Sequence, residues 1–99
     1  PKIPSTTVID LARAIAPNAE IVNVGIRPGE KLQEEMICED DARRGQSFDD
    51  YYVITAVLDY WEAAEFQKGK ALPEGFVYRS DTNDMWLGVD ELRTLLATL

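Results

Sequence analysis

A small mixed α/β fold, with about three helices and a sheet of two or three strands, is what this sequence predicts. Two observations carry that reading. Apolar residues recur at helical spacing near both ends, as Val8, Leu11, Ala12 and Ile15 and again as Leu92, Leu95, Leu96 and Leu99, while β-branched and aromatic runs fill the middle. The 99 residues have room for one domain, and a hydrophobic content of 45% supports a core. Residues 1–99 are therefore read as a single domain. It reads as a piece of a longer protein, because the chain begins Pro1-Lys2-Ile3-Pro4 without an initiator Met.

In chain order, Pro1 to Pro4 is extended by its two prolines, and Ser5 or Thr6 is positioned to cap a first helix that ends at Pro17-Asn18. Residues 20–26 (EIVNVGI) form a short β-type run. Arg27-Pro28-Gly29-Glu30 follows as a type II turn: Pro presets φ at the second position, and Gly tolerates positive φ at the third. A second helix is expected from near Lys31, with Leu32 and Met36 on one face. Residues 37–47 (ICEDDARRGQS) lack an apolar period and read as a loop, and residues 48–56 (FDDYYVITA) read as a strand. Residues 58–70 suggest a short helix, residues 69–75 a turn region and residues 76–80 a third strand. Gly88 serves as N-cap of the last helix, where Asp90 and Glu91 suit the positive end of the helix dipole.

Composition excludes several chemistries. A net charge of −8 argues against binding nucleic acid or anionic lipid through the whole surface, so an anionic ligand must be met by a few local cations. Histidine is absent, which removes Ser-His-Asp and Cys-His catalysis and histidine metal sites. Neither GxGxxG nor GxxxxGK occurs, so this segment is not expected to hold a dinucleotide itself. The lone cysteine, Cys38, lies beside acids and reads as an inert thiol; together with the lack of an apolar run long enough to cross a bilayer, it favours a cytoplasmic location.

Arg27 and Glu30 support two readings. They form a mutual salt bridge across the turn, or they hold a ligand: a guanidinium is a forked donor that fits phosphate, and a carboxylate beside it accepts from sugar hydroxyls. The expected helix start at Lys31 would add free N–H groups for an anion. A nucleoside diphosphate would satisfy all of these. The acidic triplet Glu39-Asp40-Asp41 lacks the spacing of a calcium loop and reads as solvated, with Arg43 and Arg44 as ion-pair partners, and no metal site is expected. Asp49, Asp50, Glu62 and Glu65 have no spacing that fixes a catalytic carboxylate pair. Tyr51, Tyr52, Tyr60 and Trp61 could stack a base but suit a core or interface better, and Asn83 and Trp86 read as turn and core.

The stretches PKIPS at residues 1–5, DLARAIAP at 10–17, IRPGEKLQEEMI at 26–37, EDDAR at 39–43, FDDYYVI at 48–54 and YRSDTNDMWLGVDELRTLL at 78–96 are collinear and cover nearly the whole chain. In this combination the sequence resembles the C-terminal part of the inverting UDP-N-acetylglucosamine 4,6-dehydratases, extended short-chain dehydrogenase/reductases that open the route to pseudaminic acid and related sugars of flagella and capsules. The resemblance implies a small substrate-binding lobe without the Rossmann domain, in which Arg27 meets the nucleotide diphosphate and Glu30 the ribose hydroxyls, with Lys31 and Trp61 as further candidates for substrate contact.

By the same resemblance, the NAD(P) loop and the catalytic residues belong to the missing N-terminal Rossmann domain, so no catalytic or cofactor-binding residue is expected here and the piece alone is inactive. The parent would be an oligomer that oxidises the sugar at C4, eliminates water across C5 and C6 and returns hydride to C6. Alternatives are a retaining 4,6-dehydratase, a polysaccharide-synthesis homologue sharing the RPGEKL loop, or an acidic interaction or oligomerisation module without a small ligand.

Overall fold

The computed structural model describes residues 1–55 and 68–99. Among them the architecture is mixed α/β, with three helices and two small antiparallel sheets, of two and three strands. The chain divides into two compact units, one of Pro1–Ile3 with Glu35–Arg79 and the other of Pro4–Glu34 with Ser80–Leu99.

The first unit holds β1 (Glu35–Ile37), α2 (Glu39–Ala42), β2 (Gly45–Ser47), β3 (Tyr52–Ile54), β4 (Lys70–Ala71) and β5 (Tyr78–Arg79). β1 pairs with β5, and β2 lies between β3 and β4. Its core is Ile37, Ala42 and Tyr78, with Tyr52, Leu72 and Phe76 packed against them. The Tyr52 ring is tilted 5.2 Å from Tyr78 and 5.6 Å from Phe76, the non-parallel geometry aromatic quadrupoles prefer. The Tyr78 hydroxyl donates to the Ile3 carbonyl at 3.0 Å and accepts from the Ile3 N–H at 2.9 Å, so one buried ring fixes the start of the chain. Lys2 lies 4.8 Å from the Tyr52 ring centre and donates to Ser47 Oγ at 2.9 Å and to the Phe48 carbonyl.

The second unit holds α1 (Val8–Ile15) and α3 (Val89–Leu96), which pack together and bury Ala14 and Leu92. Thr7, not Ser5 or Thr6, caps α1, its hydroxyl accepting from the Asp10 N–H at 3.0 Å. Ser5 forms instead a short parallel bridge to Trp86, and Thr6 Oγ1 donates to the Leu87 carbonyl at 2.9 Å. Gly88 is the N-cap of α3 as expected, and its N–H donates to Glu91 Oε2 at 3.0 Å. The apolar stripes are only partly covered. Val8, Ile15, Leu95 and Leu99 are exposed, as is nearly half of Trp86, read from sequence as core.

Three expected elements are corrected. Residues 20–26 are not a strand. The Gly25 N–H donates to Asn23 Oδ1 at 2.8 Å and Gly25 takes φ +80°, so an Asx turn bends the run, and Ile21, Val22, Val24 and Ile26 are exposed. No helix begins at Lys31: the chain bends and enters β1, whose pairing with β5 outweighs the helical propensity of KLQEEM. Leu32 and Met36 are both exposed. Residues 37–47 are not a loop but hold α2 and β2. A run of three acids in its first turn suits the N-terminus of α2, and the Ala42 N–H closes it onto the Cys38 carbonyl at 3.0 Å.

The aromatic strand is present but short, as β3, because Asp49 and Asp50 bend ahead of it, and the third strand is β5. Most of the helix expected over residues 58–70, including Tyr60, Trp61, Glu62 and Glu65, lies outside the described residues; at its end, Lys70 begins β4. No helix among the described residues is long and apolar enough to cross a membrane.

Replacing Tyr78 by Phe keeps the ring and removes both of the hydroxyl's hydrogen bonds to Ile3. We expect a loss of about 1–3 kcal/mol, measured as a lower urea midpoint at unchanged m-value. An unaltered midpoint would contradict the anchoring role of the hydroxyl.

Candidate substrate-binding turn

Arg27-Pro28-Gly29-Glu30 forms the turn its sequence predicts. Gly29 takes φ +85°, and the Glu30 N–H donates to the Arg27 carbonyl at 3.1 Å, closing the four-residue bend. A second bond runs the opposite way, from the Arg27 N–H to Glu30 Oε2 at 2.8 Å. The other carboxylate oxygen, Oε1, stands 3.8 Å from Arg27 Nε. Arg27 and Glu30 are thus brought side by side, tied by two hydrogen bonds that each include a backbone group of Arg27.

The other ion pairs among the described residues, Asp10–Arg13, Asp40–Arg43, Asp41–Arg44 and Asp90–Arg93, share this three-residue spacing but lie on helices or at their ends. There the spacing is what a helix face supplies. At Arg27 no helix is present, and a turn made by Pro28 and Gly29 does the same work. The arrangement leaves the cation open. The Arg27 side chain is 76% exposed, and its guanidinium makes no hydrogen bond among the described residues, since 3.8 Å is an ion-pair distance only.

Residues 15–32 are all exposed, and in that stretch Arg27 and Lys31 balance Glu20 and Glu30 on a chain of net charge −8. An open guanidinium in a locally neutral segment suits a multivalent oxyanion, and the neighbouring carboxylate supplies acceptors for hydroxyl groups. Lys31 is exposed and close in sequence, but the helix N-terminus expected to begin there, with its free N–H groups, is absent. Trp61 lies outside the described residues. The sequence reading also passed over Asn23, whose Asx turn ends the apolar run just before the site; the signal for it was Asn two residues ahead of Gly.

The remaining candidates are drawn into structural roles. Tyr51 stacks on Phe48 at 4.8 Å, and Tyr52 is part of the first unit's packing. Arg44 pairs with Asp41 at 3.0 Å and Arg43 with Asp40 at 3.6 Å, so the basic pair does serve the acidic run. Cys38 donates to Asp41 Oδ2 at 3.2 Å. The glycines with positive φ, Gly25, Gly29 and Gly75, lie on separate turns, and none opens a helix.

The exposed, doubly closed turn carrying an arginine and an acid is the candidate ligand-binding segment of this mixed α/β protein. The chain belongs to the polysaccharide biosynthesis protein family, which matches residues 1–56. It is 40% identical over 103 aligned residues to the UDP-N-acetylglucosamine 4,6-dehydratase (inverting) of Campylobacter jejuni serotype O:2, and 39% identical to that of serotype O:23/36. Each alignment covers 97% of this chain and 31% of the relative, so the chain spans about a third of the length of these curated relatives.

The left-handed φ of Gly29 is what permits the turn. Gly29→Ala places a Cβ in that conformation at a cost of about 1–2 kcal/mol, so hydrogen exchange at the Glu30 amide is expected to accelerate by about tenfold. Unchanged exchange would mean that the turn holds without the glycine.

Proposed function

We propose that this chain is the C-terminal nucleotide-sugar-binding region of a UDP-N-acetylglucosamine 4,6-dehydratase of the inverting type, with Arg27 on the diphosphate of the substrate and Glu30 toward the ribose hydroxyls. The observation that carries this reading is the open Arg27 guanidinium held beside Glu30 by the closed turn, within the family-matched segment. The names of the relatives support the substrate class, and the overall acidity of the chain makes this locally neutral stretch the favourable place for an anion.

In this reading the enzyme is an NAD(P)-dependent lyase of the cytoplasm, placed in the route to pseudaminic acid and the sugars of flagellin or capsule. The dinucleotide and the catalytic groups belong to an N-terminal Rossmann domain, and this segment alone is inactive. Its task is affinity and orientation: binding energy gathered at the nucleotide, remote from the reacting sugar carbons, positions them for chemistry. The exposed apolar side chains of residues 21–26 suit burial against that domain or a second subunit.

The test is UDP binding to the full-length enzyme by calorimetry, with and without Arg27→Ala. Loss of a charged, hydrogen-bonded phosphate contact is expected to weaken affinity by about ten- to a hundredfold. Equal affinity would show that the turn is structural.

A further inference from the structure

We infer that Glu30 is a positioning residue for Arg27, acting through the Arg27 backbone, in addition to any contact it makes with ligand; this rests on the nucleotide-binding reading above. Among the ion pairs of the described residues, Glu30 alone spends a carboxylate oxygen on the N–H of its own arginine, at 2.8 Å, while its N–H returns to that arginine's carbonyl at 3.1 Å. The two bonds close a ring that fixes the backbone at Arg27. Its side chain therefore leaves the turn in a defined direction although it is 76% exposed.

The side-chain ion pair is the lesser part of this arrangement. At 3.8 Å between exposed groups it holds the guanidinium weakly, so an incoming phosphate displaces it at little cost, whereas the backbone bond need not break when ligand arrives. A carboxylate has roughly four acceptor positions, so Glu30 can hold the Arg27 N–H and still face a sugar hydroxyl. Because the contribution is made through Arg27, it depends on Arg27 and is independent of the ribose hydroxyls.

The experiment is a double-mutant cycle in the full-length enzyme, with affinities measured for UDP and for 2′,3′-dideoxy-UDP, which lacks both ribose hydroxyls. Glu30→Ala is expected to weaken dideoxy-UDP by about five- to twentyfold, and UDP by at least as much. Glu30→Gln, whose amide oxygen can still accept from the Arg27 N–H, should stay within about twofold of the parent. The Arg27→Ala/Glu30→Ala double variant should bind dideoxy-UDP no more weakly than Arg27→Ala alone.

A Glu30→Ala loss that vanishes with dideoxy-UDP, that adds in full to the Arg27→Ala loss, or that Glu30→Gln reproduces would overturn the positioning role and leave the nucleotide site standing. No effect of Arg27→Ala on either nucleotide would overturn both.

Discussion

The pairing of β1 with β5 is the constraint on which the first unit depends. It sets Glu35 against Arg79 and Ile37 against Tyr78, and so brings together two of the three residues of the first unit's core. Through Tyr78 it also fixes the chain start, because the hydroxyl both donates to and accepts from Ile3. A helix through KLQEEM would satisfy its own backbone locally, yet it would take Glu35 to Ile37 out of the ladder and Ile37 out of the core. The long-range pairing is preferred because it buries an isoleucine and a tyrosine together, which a short exposed helix cannot match.

That competition explains which parts of the fold were legible in the sequence. Both terminal helices are visible because their signals are local: apolar spacing in each, and in α3 the Gly88 cap and the acids of the first turn. The type II turn is visible for the same reason, since Pro28 and Gly29 determine φ without reference to the rest of the chain. What the sequence concealed depends on a competing local turn in one case and on long-range partners in the others. Residues 20–26 have strand composition, but the Asn23–Gly25 Asx turn bends them, and their apolar side chains stay exposed. Residues 37–47 look like a loop because α2 and β2 are short and polar: one is held by charge at its helix start, and the other lies between β3 and β4.

The candidate site was legible in its residues and only partly in its geometry. The adjacency of Arg27 and Glu30 follows from the turn, but the carboxylate's bond to the Arg27 N–H could not be read from spacing, since a glutamate at that place can equally reach outward. No helix begins at Lys31 to supply a dipole, so any affinity for an anion depends more heavily on the guanidinium itself. An exposed arginine is worth little in a surface ion pair but more against a doubly charged oxyanion, where two donors of its planar fork engage at once. The turn fixes the base of that fork and leaves its tip free.

The most direct measurement is the structure of the full-length enzyme with UDP bound. The account predicts Arg27 guanidinium nitrogens about 2.7–2.9 Å from diphosphate oxygens, with the Arg27 N–H still bonded to Glu30. A diphosphate bound elsewhere, with Arg27 still facing solvent beside Glu30, would contradict it.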